Sequence, residues 1–144
     1  MEQDVLLVND LRLQFLTRRG IYKALNGITL TVKKGEILGL AGESGCGKTT
    51  LGLSIIGLLP RNAAVISGEV VLDNLDIIAP LREYAKNNIK KFNLRHSENI
   101  IKKLNDKLVS VRGNKISMVF QDSMTSLNPV LQIGYQIAES FIVH

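Results

Sequence analysis

Apolar and polar positions alternate over two early stretches. Val5-Leu6-Leu7-Val8 and Leu11-Arg12-Leu13-Gln14-Phe15 read as strands, with Leu11, Leu13 and Phe15 on one face. Asn9-Asp10 marks a turn or bulge between them, and Thr17-Arg18-Arg19-Gly20 a polar turn. A second alternation runs from Ala24 to Val32, with Ile28, Leu30 and Val32 opposite Thr29 and Thr31. Lys33-Lys34-Gly35-Glu36 then connects tightly to an apolar run, Ile37-Leu38-Gly39-Leu40-Ala41, expected to be a strand. Leu51, Leu53, Ile55, Ile56, Leu58 and Leu59 follow at helical spacing and stop at Pro60, which cannot continue a helix interior. Asn62-Ala63-Ala64 reads as a linker, Gly68–Leu72 as a short strand, and Asp73-Asn74 as the turn that closes it.

The pattern turns helical over 77–112. Ile78, Leu81, Ala85, Ile89 and Phe92 form one apolar stripe; Ile100, Ile101, Leu104 and Leu108 form another. Asn93-Leu94-Arg95-His96 is read as a break that makes a hairpin of two helices. Ser97 is expected to cap the second helix at its start and Gly113 at its end. Lys115-Ile116-Ser117-Met118-Val119-Phe120 reads as a strand ending in Gln121-Asp122. Ser126-Leu127-Asn128-Pro129 is a turn, and 130–143 an amphipathic helix carrying Val130, Leu131, Ile133, Ile137 and Phe141.

Between the expected strand 37–41 and the helix after it lies Gly42-Glu43-Ser44-Gly45-Cys46-Gly47-Lys48-Thr49, followed by Thr50. This is G-x-x-x-x-G-K-[ST], the phosphate-binding loop known as Walker A, in the strand–loop–helix context the motif requires. Glycines 42, 45 and 47 let the backbone curl until its N–H groups converge on an anion. The helix beginning near Lys48 adds its partially positive end. Lys48 can reach the β- and γ-phosphates, and the Thr49 hydroxyl can ligate Mg²⁺. Gln121, 73 residues after Lys48, stands at the C-terminal end of an expected strand, where α/β proteins bind ligands. Its carbonyl oxygen could serve Mg²⁺ or an attacking water.

Composition narrows the class. The chain has 144 residues, enough for one domain with a real core. No run of 18 apolar residues is present, so no transmembrane helix is expected, and the acidic start Met1-Glu2-Gln3-Asp4 lacks a secretory layout. Cys46 is the single cysteine, which excludes an intrachain disulfide and suits a reducing cytoplasm. It could also act as a redox-sensitive thiol at a helix N-terminus. The net charge of +5 is concentrated: Arg82 to Arg112 holds nine Lys/Arg and three Asp/Glu, a local +6, and the remainder sums to −1. The segment has no aromatic interleaving of the kind that stacks on bases.

The sequence resembles the ATP-binding subunit of an ABC transporter, of the oligopeptide/dipeptide (and nickel) importer type. The resemblance rests on Lys23-Ala24-Leu25-Asn26-Gly27-Ile28, Lys34-Gly35-Glu36-Ile37-Leu38-Gly39-Leu40, Gly42 to Thr50, Gly57-Leu58-Leu59-Pro60, and above all on the run from Ile116 to Pro129 with Val119-Phe120-Gln121-Asp122 at its centre. It implies an α/β P-loop NTPase core with an N-terminal antiparallel β subdomain. Residues 1–36 would be that β portion, 37–59 the Walker A unit, 77–112 a charged helical insertion, 115–129 a strand and Q-loop, and 130–144 the start of a helical subdomain. The cofactors implied are ATP and Mg²⁺. Gly42, Glu43, Ser44, Gly45, Cys46, Gly47, Lys48, Thr49 and Thr50 would hold the phosphates, with Thr49 and Gln121 toward the metal. Lys48 and Gln121 would act on the γ-phosphate. An aromatic side chain near the N-terminus would stack on adenine, Tyr22 being the first choice and Phe15 the alternative. The partners implied are a second ATPase subunit, transmembrane permease subunits and, indirectly, an extracytoplasmic peptide-binding protein; no nucleic acid is expected. The place implied is the cytoplasmic face of the membrane, as a peripheral subunit.

Three departures qualify the resemblance. Ser123 stands where many relatives have proline, with little expected consequence. Residues 80–110 exceed the family's usual connection; their basic face could meet anionic lipid headgroups or nucleic acid, but a plain solvated helix face is the favoured reading. The Leu-Ser-Gly-Gly-type signature, the Walker B aspartate, the catalytic glutamate and the switch histidine are not found; His96 and His144 are misplaced for that role. The expectation is therefore the N-terminal part of an ATPase, cut before its helical subdomain is complete, inactive alone, with exposed sheet edges. Two other readings compete: another P-loop enzyme, such as a small-molecule kinase or a GTPase, and a basic module that binds nucleic acid or a membrane surface. The first leaves 119–122 unexplained, and the N-K-x-D motif of a GTPase is missing.

Overall fold

A computed structural model describes residues 4–88, 98–121 and 127–143. The chain divides into two compact units, up to Leu108 and from Val109 onward.

The first unit is built on a four-stranded antiparallel sheet in the order β2-β1-β3-β4. Strand β1 is Asp4–Thr17, β2 Gly20–Lys33, β3 Ala63–Leu72 and β4 Leu75–Asp76. The two expected segments of β1 are one strand with a bulge at the anticipated place. The pairing shifts between Val8 and Leu11, and Asp10 takes a φ of 40°. The turn at 18–19 closes β1 onto β2, with Thr17 Oγ1 donating to the Gly20 carbonyl at 2.8 Å. Asp73 and Asn74, at φ 48° and 65°, form a two-residue hairpin loop of the primed kind between β3 and β4.

Strand β3 begins earlier than expected. Ala63 and Ala64 are buried ladder residues opposite Phe15 and Gln14, not a linker. Gly68, at φ 87°, hid the continuity: its Cα packs against the bulge carbonyls of Asn9 and Asp10, where a Cβ would stand 2.6 and 2.4 Å from their oxygens.

The sheet is covered on both faces. Leu11, Leu13 and Val65 are fully buried on one side, joined by Leu25. Leu16, Ala64 and Ile66 face the other way and meet Ala85 of helix α2, Ala79–Asn88. Helix α3, Glu98–Leu108, packs beside α2 with Leu104 and Leu108 inward. Both helices of the predicted hairpin are thus present and in contact. Its break, its Ser97 cap and its residues Ile89 and Phe92 lie outside the described residues. Gly113 does not cap α3, which stops five residues earlier.

Asp76 ties this hairpin to the sheet. Its Oδ1 accepts from the Ile78 N–H at 3.2 Å and its Oδ2 from Arg82 Nη2 at 2.7 Å. Its carbonyl accepts from Lys107 Nζ at 2.7 Å, and Arg82 Nη1 reaches the Gly68 carbonyl at 2.6 Å.

Two expected strands are not strands. Residues 36–43 and 117–120 join no ladder among the described residues, although Arg112 and Ile116 form a single bridge. Ile37 is 98% exposed and Val119 97%. A continuous apolar run satisfies its backbone as a strand only beside another strand, and none of the described residues supplies one.

The second unit carries helix α4, Ile133–Val143. Gln136 reaches back from it: Nε2 donates to the Asn128 and Leu131 carbonyls at 3.0 and 2.9 Å, and Oε1 accepts from the Asn128 N–H at 2.8 Å. Asn128 Oδ1 also accepts from the Val130 N–H at 3.0 Å, which fixes the turn before the helix. The apolar side chains Ile133, Ile137 and Phe141 are exposed.

Candidate functional site

The site lies where residues 42–47 lead into helix α1, Lys48–Ile55. Gly45 and Gly47 have φ of 81° and 98°, a conformation that costs a side-chain-bearing residue dearly. Gly42 has an ordinary φ, and its need is close approach: a Cβ there would stand 2.7 Å from Cys46 Sγ. The Cys46 N–H donates to the Glu43 carbonyl at 3.3 Å and pulls the loop into a turn. No side chain caps α1; Gly47 leads in, and the Leu51 N–H donates to the Gly47 carbonyl at 2.9 Å. The first N–H groups of the helix are therefore left to face the loop, which is what an anion site requires.

The Lys48 ammonium folds back over the loop. It donates to the Gly42 and Glu43 carbonyls at 2.7 Å each and lies 3.5 Å from Cys46 Sγ. A single cation thus spans the loop opening. Thr49 is exposed, Thr50 half-buried, and Glu43 and Ser44 exposed. The far end of α1 is held by a Schellman motif. The Leu58 N–H donates to the Leu53 carbonyl at 2.8 Å and the Gly57 N–H to the Ser54 carbonyl at 3.2 Å, with Gly57 at φ 69°. The buried Ser54 hydroxyl donates to the Thr50 carbonyl at 2.7 Å, within the helix.

Strand β2 abuts the loop. A Cβ on Gly47 would stand 2.9 Å from the Ala24 carbonyl oxygen and 2.9 Å from Leu25 Cδ2. Two residues before Ala24 stands Tyr22, 55% exposed, paired across the strands with Phe15. The two rings stack, 6.5 Å between centroids and 12° between planes. Phe15 and Tyr22, weighed above as alternatives, therefore form one aromatic surface. Their pairing was readable from the two-residue turn, since Thr17 opposite Gly20 puts Phe15 opposite Tyr22.

Gln121 belongs to the second unit, where it is exposed beside the exposed Phe120. Asp122 to Ser126 lie outside the described residues. Among the described residues no cluster of His, Cys, Asp and Glu could hold a metal by itself. None of their helices is long and apolar enough to cross a membrane.

This loop geometry defines a P-loop nucleotide site, and comparison places it. The family model described as "ABC transporter" matches residues 25–139, and the chain belongs to that family. Among its relatives is a probable peptide ABC transporter ATP-binding protein of Sinorhizobium fredii, 38% identical over 98% of this chain and 36% of its own length. A dipeptide transport ATP-binding protein of Bacillus subtilis is 35% identical over 99% of this chain and 36% of its own length. An oligopeptide transport ATP-binding protein of Salmonella typhimurium is 36% identical over 97% and 35%. The chain spans about a third of the length of the curated relatives it matches.

Proposed function

We propose that this chain binds Mg²⁺·ATP as the nucleotide-holding portion of an ABC ATPase subunit that drives peptide import. The observation that carries the reading is the preformed loop, with Gly45 and Gly47 in left-handed conformations and the Lys48 ammonium across its opening. The names of the relatives support the peptide class.

In this reading the backbone of 42–49 cradles the phosphates, and Lys48 exchanges its two carbonyl acceptors for phosphate oxygens. The Thr49 hydroxyl, exposed at the start of α1, is one ligand of a Mg²⁺ ion that arrives with the nucleotide. The aromatic surface of Phe15 and Tyr22 takes the adenine ring. Gln121 is the γ-phosphate sensor. Phosphoryl transfer needs little covalent chemistry from the protein; positioning and charge compensation dominate. These residues supply both, but no carboxylate to polarise the attacking water. Turnover therefore belongs to a complete assembly with a second ATPase subunit and membrane permease subunits, at the cytoplasmic membrane face. Segments 37–41 and 116–120 are proposed to become strands of the sheet in that assembly.

The test is nucleotide binding by the 144-residue chain, ATP against GTP with Mg²⁺, beside Lys48→Ala. A charge-assisted contact is worth ~1.5–3 kcal/mol, so the variant should bind ATP about 10–100-fold more weakly. ATP binding unaffected by the substitution refutes the assignment.

A further inference from the structure

We infer that the bulge at Ala24 is a positioning device, which sets the aromatic surface and the phosphate loop at the separation one nucleotide spans. The inference rests on the nucleotide reading above. It adds a role for Ala24 and Leu25, neither of which carries any chemistry of its own.

The register supplies the first half. Leu13 pairs with Leu25, and the next residue, Gln14, pairs with Lys23. Ala24 is the extra residue, and a bulge there bends and twists the strand locally. Beyond it, Phe15 pairs with Tyr22 and the two rings stack. A regular ladder would make Ala24 the partner of Gln14 and Lys23 the partner of Phe15. Tyr22 would then leave the Phe15 face, because a one-residue slip reverses every side chain beyond it.

The close approach to Gly47 supplies the second half. The Ala24 carbonyl and the Leu25 side chain are the two groups that a Cβ on Gly47 would strike, each at 2.9 Å. Leu25 is 5% exposed, so its position is fixed by packing. Gly47, at φ 98°, is the last loop residue before Lys48. One irregularity in β2 thus seats the turn that aims Lys48 and, two residues earlier, presents the ring pair. A base and a triphosphate carried by one ligand must fit both at once.

The experiment compares ATP with inorganic tripolyphosphate, which has the phosphates and no base. Affinities are measured calorimetrically with Mg²⁺ for the parent chain, for deletion of Ala24 and for Leu25→Ala, with thermal melts of all three. Stacking on an aromatic surface is worth ~1–3 kcal/mol per base, so the parent should prefer ATP by about tenfold. Deleting Ala24 should abolish that preference. Leu25→Ala keeps the register and loosens the seat of Gly47, so it should weaken both ligands by the same factor, about threefold to tenfold, and leave their ratio unchanged. A folded deletion variant that keeps the parent's ATP-to-tripolyphosphate ratio overturns the inference and leaves the nucleotide reading standing. If the deletion variant does not fold, Leu25→Ala decides: a lower melting temperature with both affinities intact means a purely structural role and overturns it. A parent chain that binds neither ligand overturns the nucleotide reading itself, and this inference with it.

Discussion

Replacing Asp76 with alanine tests how the helical hairpin is held to the sheet. Two contacts vanish. The Oδ2 bond to Arg82 is short, 2.7 Å, and charge-assisted. Such bonds are worth ~1.5–3 kcal/mol when buried. The two side chains are 20% and 25% exposed, so water and salt screen part of this, and about 1–1.5 kcal/mol is the fair figure. The Oδ1 bond to the Ile78 N–H, at 3.2 Å, makes the turn that leads into α2 and adds ~0.5–1 kcal/mol. The Lys107 bond survives, because it goes to the Asp76 carbonyl. The expected loss is about 2 kcal/mol. With a urea m-value of ~2 kcal/mol/M the unfolding midpoint should fall by about 1 M.

A double-mutant cycle sharpens the measurement. Arg82→Ala loses the same ion pair and also its bond to the Gly68 carbonyl at 2.6 Å, so alone it should cost somewhat more than Asp76→Ala. The pair should be sub-additive by ~1–1.5 kcal/mol, the part they share. Far-UV circular dichroism against urea reads all four proteins. A midpoint shift under about 0.25 M for Asp76→Ala, or strict additivity of the pair, would mean that α2 and α3 are held by their apolar contacts alone, and that this polar node is ornament on a packed hairpin.

Other outcomes follow from close approaches in the backbone. Gly68→Ala drives a Cβ to 2.4 Å from the Asp10 carbonyl at a positive φ, where neither neighbour can yield; it should cost roughly 3 kcal/mol or more and show as a sharp fall in soluble yield and melting temperature. Gly42→Ala meets the Cys46 sulfur at 2.7 Å, a side-chain atom, so Cys46→Ala in the same chain should restore most of the ATP affinity that Gly42→Ala alone removes; no rescue in titrations refutes the steric account. Gln136→Ala removes three bonds that fix the turn before α4, and the Asn128 amide should lose about fivefold or more of its hydrogen-exchange protection, a cost of ~1 kcal/mol.

The β1–β2 hairpin and helices α2 and α3 were legible because their described stripe residues, Leu81 and Ala85 on one helix and Leu104 and Leu108 on the other, are buried as the spacing requires, whereas Ile133, Ile137 and Phe141 of α4 stay exposed. The loop was legible because its chemistry fixes residue types position by position. The runs at 37–41 and 116–120 were not, because they lack alternation. Such a run belongs to a strand covered on both faces, and whether it is one depends on neighbours that its own composition does not encode. Apart from the single bridge between Ile116 and Arg112, nothing among the described residues pairs with either run, and Leu38, Leu40 and Phe120 are correspondingly exposed.

The bulges left a different trace. Along β1 the apolar residues Leu11, Leu13 and Phe15 come every second position, as a regular strand demands. Their partners on β2 are Ile28, Leu25 and Tyr22, every third position. Spacing of three in isolation suggests a helix, and it kept Leu25 and Tyr22 out of the alternation recognised at Ile28, Leu30 and Val32. Paired with a spacing of two, it can only mean an additional residue in each interval. Those residues are Gly27, between the pairs Leu11–Ile28 and Arg12–Asn26, and Ala24, between Leu13–Leu25 and Gln14–Lys23. The mismatch between two strands of one hairpin therefore locates both bulges from sequence once the turn at 18–19 is placed. One of them lies against Gly47. A strand that reads as irregular beside a phosphate loop is thus better treated as a shaped support for the site than as a weak strand.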